Sequence, residues 1–287
     1  MKSRSVILSL CAVLLFAGTA FANIYDSLQA TTCLVDVGKG LGTGVLVTRQ
    51  VGEVTRTYIW TAGHVVQHLM QPDGTFKNPT IKQEFRDGGR AIGESKIEAK
   101  VIAYSDPDDG EDLALLEVLQ DNFRPTTVSA KFDLKGAIQQ IGTKLIHVGC
   151  TLGTYDSVSL GIISQTDRDL LKTGKMFEQT TVMGYPGSSG GGVYLEDGKY
   201  IGMLTQGAGP GLNFIIPMRR IIPWAKKMCI LWALNPEAPV TAIPKLTDGT
   251  EKLPPDASHA CVLNPDDEGD DNADDDSGDS AIYRPAA

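Results

Sequence analysis

The chain has 287 residues, 42% of them hydrophobic and 21% charged, with a formal net charge of −9. That hydrophobic share supports a packed core over most of the length and excludes a chain that is disordered throughout. Nine carboxylates between Asp266 and Asp279 equal the whole formal excess, so the remainder is neutral and offers no basic stripe of the kind nucleic acid requires.

At the N-terminus, Lys2 and Arg4 precede an apolar run from Val6 to Phe16 and the small-residue pattern Ala20-Phe21-Ala22. This is the layout of a cleaved secretory signal over residues 1–22, giving a secreted or periplasmic chain that begins at Asn23. The run is shorter than the ~20 residues needed to span hydrocarbon, and no later segment approaches that length, so no stable membrane anchor is expected. Cys11 leaves with the signal, and spacing alone leaves the three pairings of Cys33, Cys150, Cys229 and Cys261 open. Cys33 and Cys150 lie in apolar runs and read as buried thiols, whereas a Cys229–Cys261 bridge would tie a loose tail to the body.

From Ala30 to Pro217 the chain is a succession of short runs rich in Val, Ile, Leu, Thr and Tyr, separated by Gly, Asp and Pro clusters. About eleven strands are too many for one small barrel. The expected fold is therefore all-β, with two six-stranded antiparallel barrels on either side of a link near residues 123–138. A C-terminal helix follows, with Pro223 at its first position and Trp224, Met228, Leu231 and Trp232 at spacings of three and four. Residues 23–235 then form the folded domain, and the Pro-rich and acidic residues 236–287 form a tail too polar to pack.

Three segments carry candidate chemistry. "YIWTAGHVV" ends a strand on small residues and delivers His64, "GEDLALLEV" places Asp112 at the mouth of an apolar strand, and "YPGSSGGGVY" sets Ser188 and Ser189 among glycines. A nucleophile, a base and an acid to orient the base are the minimum set for activating a hydroxyl. The order His, Asp, Ser, with these motifs, resembles the trypsin and chymotrypsin superfamily of serine endopeptidases over roughly residues 31–231. "GTGVLV", "SLGIIS" and "GLNFIIP" are most similar to the bacterial high-temperature-requirement (Deg-type) proteases and their short relatives.

The resemblance implies two perpendicular barrels with the active site between them. It makes His64 the general base, Asp112 its orienting carboxylate and Ser189, directly before Gly190-Gly191, the nucleophile in place of Ser188. The backbone N–H groups of Gly187 and Ser189 would form the oxyanion hole. Met183, Gly207 and Gly211 would line an open apolar pocket for medium or large side chains, and Thr205, Gln206 and Gly207 would pair with an extended polypeptide substrate. Too little chain follows Asn235 for a PDZ domain, so a stand-alone endopeptidase without cofactor is expected.

Two rival readings have definite signatures. His64 and His68 have the i, i+4 spacing of zinc hydrolases, but Val65 stands where that motif needs glutamate, so no metal is expected. His147 in an apolar run and His259 in the tail read as structural residues. The alternative function is a catalytically silent trypsin-like binding module, in which the same residues are present without assembled geometry.

Overall fold

The computed structural model describes residues 23–240, apart from 88, 89 and 210. The proposed signal, Cys261 and the acidic run therefore lie outside the described residues. Helix α1 (Ile24–Ala30) leads into β1 (Thr32–Asp36), β2 (Leu41–Val51), β3 (Val54–Ala62), β4 (Thr80–Asp87), β5 (Arg90–Tyr104) and β6 (Leu113–Val118). A one-turn helix α2 (Gly63–Gln67) follows β3 directly. These six strands close into a barrel in the order β1-β2-β3-β6-β5-β4, with every ladder antiparallel.

After β7 (Lys131–Phe132) come β8 (Lys144–Gly149), β9 (Ser157–Arg168), β10 (Phe177–Thr180), β11 (Gly192–Tyr194), β12 (Lys199–Gly209) and β13 (Leu212–Pro217). The order β11-β8-β9-β10-β13-β12 is closed by β11–β12 pairing, and β7 is appended in parallel to β12. The expected pair of six-stranded antiparallel barrels is present, and the two-residue β7 is an addition that no periodicity in its sequence announces.

Helix α3 (Met218–Lys227) departs from expectation, because it begins five residues before Pro223 and holds that proline inside. The helix starts where β13 ends at Pro217, whose extended backbone turns the chain. The apolar run after it is also broken: Cys229 takes φ +58, and Leu231–Ala233 forms a separate 3-10 turn. This break lets Trp232 fold back onto the first barrel. Its ring meets Tyr58 edge-on at 4.6 Å, Trp60 meets Trp224 at 5.9 Å, and Trp60 Nε1 donates to the Ala233 carbonyl at 3.0 Å. Edge-to-face pairs add about 0.5–1.5 kcal/mol each beyond their burial, so the C-terminal segment clamps the two barrels together.

Cys33 and Cys150 are buried free thiols, and burial pushes the Cys150 thiol up to about 12. Cys229 is disulfide-bonded. Two buried titratable groups lie beside the seam on the second barrel's side. His147 in β8 donates from Nδ1 to the Gly192 carbonyl at 3.0 Å and is pushed down to about 4 by burial, so it is neutral in the folded protein. Asp156, in the loop before β9, is buried with φ +52, and its two carboxyl oxygens have no hydrogen-bond partner among the described residues. Burial pushes it up to about 7, with Arg86 opposing and Glu84 adding to the shift.

These two groups act on stability in opposite directions. The Asp156 carboxyl is raised from 3.8, so its contribution is lost as pH climbs toward 7, by on the order of 4 kcal/mol in all. The His147 imidazole is depressed from 6.5, so its contribution is lost as pH falls toward 4. Denaturant unfolding of Asp156→Asn and the unaltered protein between pH 4 and pH 8 is expected to show near-equal stability at the acid end. The variant should then gain an advantage of a few kcal/mol by pH 8; a gap constant across that range would refute the assignment.

Candidate active site

Two of the three expected catalytic groups are delivered by strand ends, and Ser189 lies in the loop between β10 and β11. His64 is the second residue of α2, just past β3, and Asp112 directly precedes β6. His64 Nδ1 lies 2.9 Å from Asp112 Oδ2 and 3.1 Å from Oδ1, and the His64 backbone N–H donates to Asp112 Oδ1 at 2.7 Å. The carboxylate therefore fixes both the ring and the chain that carries it. It leaves Nε2 as the free nitrogen, because a carboxylate accepts and Nδ1 must donate. The Asp112 side chain is 3% exposed and its φ is +50, an unusual conformation for a residue with a side chain. Such strain persists where surrounding structure over-determines it. Here Arg220 of α3 donates to the Gly110 carbonyl and to Glu111, and Lys175 pairs with Glu111, holding the preceding residues from the second barrel.

Thr205 of β12 is the connection that sequence reasoning missed. Beyond the substrate pairing that the resemblance implies for its backbone, its Oγ1 donates to Asp112 Oδ2 and its carbonyl accepts from Ser189 Oγ at 3.2 Å. One threonine therefore touches both the acid and the candidate nucleophile. The Ser189 hydroxyl is directed to that carbonyl and not to the His64 ring. Ser188 is buried, and its Oγ lies 3.0 Å from Thr151 Oγ1, an anchoring role that separates it from Ser189.

The glycines around Ser189 can be accounted for peptide by peptide, since a buried polar backbone group must find a partner. The carbonyl of Tyr185 accepts from Ser188 N, that of Pro186 from Leu152 N at 2.7 Å, and that of Ser188 from Gly191 N. The Gly187 carbonyl accepts from Thr43 Oγ1 at 2.6 Å and the Ser189 carbonyl from Thr43 N at 2.8 Å. Gly190 N donates to Leu204 O. Of the backbone donors from Gly187 to Gly191, the N–H of Gly187 and the N–H of Ser189 are left over, neither with an acceptor among the described residues. Gly187 takes φ +94, and a side chain at Gly190, φ +89, would begin 2.1 Å from the Thr43 carbonyl oxygen. Two amide donors left unpaired beside a hydroxyl suit an oxygen that develops negative charge.

The adjoining cleft has a volume of about 320 Å³ and is lined by Ser189, Leu204, Thr205, Gln206, Gly207 and Asn213 together with the stretch from Gly184 to Pro186. No charged side chain is among its lining residues. Met183 and Gly211, expected as pocket walls, lie outside that lining. Met183 is half exposed, with its N–H held by Ser159 Oγ, and Gly211 is in the β12–β13 turn with open space around it. Asn213 takes their place: its Nδ2 donates to the Val182 carbonyl at 2.7 Å, and its Oδ1 sits where side chains at Gly184 or Gly207 would begin, 2.7 and 2.3 Å away. The i, i+4 partner His68 is exposed, and no cluster of three or more metal-ligating side chains occurs among the described residues.

Comparisons with known proteins bear on the fold and the family. "Probable periplasmic serine endoprotease DegP-like" of Halomonas elongata is 30% identical over 186 residues, 63% of this chain and 33% of its own length. "Serine protease Do-like HtrA" of Bacillus subtilis is 27% identical over 205 residues, 67% of this chain and 40% of its own. The chain thus spans two fifths or less of the curated relatives it matches. Among solved structures, Deg5 is similar in fold at a TM-score of 0.54 and 21% identity, covering 74% of this chain and 95% of that one. The HtrA-type protease AlgW matches at a TM-score of 0.54 and 24% identity, covering 73% and 63%. The trypsin-like peptidase domain family matches residues 42–203, more than half of the sequence, and the chain belongs to that family.

Proposed function

We propose that the protein is a serine endopeptidase that cleaves polypeptides through an acyl-enzyme, with Ser189 as nucleophile, His64 as general base and Asp112 as the carboxylate that orients it. The observation that carries this reading is the hydrogen-bonded His64–Asp112 pair beside a serine flanked by two unpaired amide donors. A serine hydroxyl is too weakly acidic to attack a peptide at neutral pH, so His64 Nε2 takes its proton and later passes it to the leaving amine. For that step the Ser189 hydroxyl leaves the Thr205 carbonyl and turns to the imidazole, a change between staggered side-chain wells. The Gly187 and Ser189 amides then hold the oxyanion, each worth roughly 10²- to 10³-fold in rate.

The cleft supports an uncharged side chain before the scissile bond. Leu204 and the glycine walls favour apolar groups of medium size, because the Asn213 amide occupies depth that the largest would need. Polypeptide substrate would pair with the strand edge at Thr205–Gly207. A secreted or periplasmic site of action is supported by the sequence of residues 1–22 and by the relatives named as periplasmic.

A fluorophosphonate probe is expected to label the purified protein and to leave Ser189→Ala and His64→Ala unlabelled. A wild-type chain that stays silent would instead be the binding module. Thr205→Val keeps the backbone carbonyl but removes the hydrogen bond to Asp112. It should lower kcat/KM by about tenfold, on the scale of 1.4 kcal/mol for a hydrogen bond to a charged group. Sequencing the products from a denatured protein mixture should return medium apolar residues before the cut; cleavage after Lys, Arg, Asp or Glu would contradict the uncharged cleft.

A further inference from the structure

Thr43 lies in β2 of the first barrel, fully buried, 146 positions before the candidate nucleophile in the sequence. All of its polar groups are engaged. Its N–H donates to the Ser189 carbonyl at 2.8 Å, and its carbonyl accepts from Thr61 Oγ1 at 2.8 Å. Its hydroxyl donates to the Gly187 carbonyl at 2.6 Å and accepts from the Cys150 N–H at 2.8 Å. Thr61 lies three residues before His64, so a line of short hydrogen bonds runs from the strand carrying the base to the loop carrying the serine.

We propose that the Thr43 hydroxyl is a positioning group for the oxyanion hole, pinning from the first barrel the peptide that separates its two amide donors. The inference rests on the serine endopeptidase reading. A peptide unit is planar, so holding its carbonyl oxygen fixes the plane and restricts the dihedrals on either side. The two donors belong to the 186–187 and 188–189 units. Between them lies the 187–188 unit, whose oxygen is held by Thr43 Oγ1, and after them the 189–190 unit, held by Thr43 N. Gly187 is the residue in the loop best able to rotate, since it has no side chain and takes φ +94. Without the pin, rotation about the Gly187–Ser188 bonds changes the orientation of the two amides relative to each other.

The same hydroxyl also sets the other side of the hole. The Cys150 N–H that it accepts begins the turn whose Leu152 N–H holds the Pro186 carbonyl at 2.7 Å. That contact orients the 186–187 unit so that the Gly187 N–H points away from the turn. The plane of the Gly187 donor and the 187–188 unit next to the Ser189 donor therefore both trace back to one side chain. A valine at this position has the same shape and neither hydrogen bond, whereas a serine keeps both.

The test uses the full chain with Thr43→Val, Thr43→Ala and Thr43→Ser, read by peptide turnover and by a peptide boronate whose tetrahedral adduct with Ser189 places an oxygen at the two amides. In Thr43→Val we expect kcat to fall by about 10²-fold, the scale of one lost oxyanion donor, with KM within about threefold. Boronate affinity should fall in proportion to kcat, and Thr43→Ser should restore both. Thr43→Ala supplies the same reading should the valine variant not fold, as judged by near-UV circular dichroism. A folded valine or alanine variant with wild-type kcat and boronate affinity overturns the proposal, as does a serine variant as impaired as valine. A wild-type chain that neither turns over peptide nor takes up the boronate overturns the endopeptidase reading and this one with it.

Discussion

A closed barrel pairs its strands with one another and leaves no edge with which to recognise a neighbour. Two such barrels can be registered only by loops and by side chains that cross between them. In this protein the candidate catalytic groups are divided across that seam, with His64 and Asp112 on the first barrel and Ser189 on the second. The crossing is made by a few buried polar contacts: Thr205 to Asp112, Thr43 to Gly187 and Ser189, and Arg220 to Gly110. Each links residues more than ninety positions apart, and each sits where water is excluded. Such contacts are worth more there than at a surface, and leaving one partner unpaired is correspondingly expensive.

The parts of this arrangement that sequence conveys are those with a local signature. Alternating and apolar runs mark the strands of both barrels, because burial of one face imposes a period of two. The triad types stand out because glycines and small residues gather around Ser189 and precede His64. The start of α3 departs from its sequence signal for an equally local reason: Pro223 is a good first residue for a helix, and the tertiary contacts that start α3 at Met218 leave no mark on that preference.

What the sequence conceals is long-range hydrogen bonding by small side chains. Thr43, Thr61 and Thr205 read as ordinary β-branched residues in strands, where threonine is common for steric reasons alone. Nothing near them distinguishes a hydroxyl that fills a pleat from one that spans the seam. Asn213 is similar: in an apolar run it reads as an interruption, and only the register opposite Gly207 in the β12–β13 ladder turns it toward the cleft. Asp156 gives no warning either, since its neighbours Arg86 and Glu84 come from the other barrel.

The backward fold of the last turn carries a further implication for how the molecule is made. Trp232 and the Ala233 carbonyl complete the packing around Tyr58 and Trp60, and Arg49 donates to the carbonyl of Asn235. A ribosome delivers residue 62 long before residue 238, so the early half emerges with its aromatic floor uncovered and two anchoring groups waiting for acceptors. That floor is covered only after the late half has been synthesised, so the first barrel's core is completed by residues that no stretch of its own strands supplies.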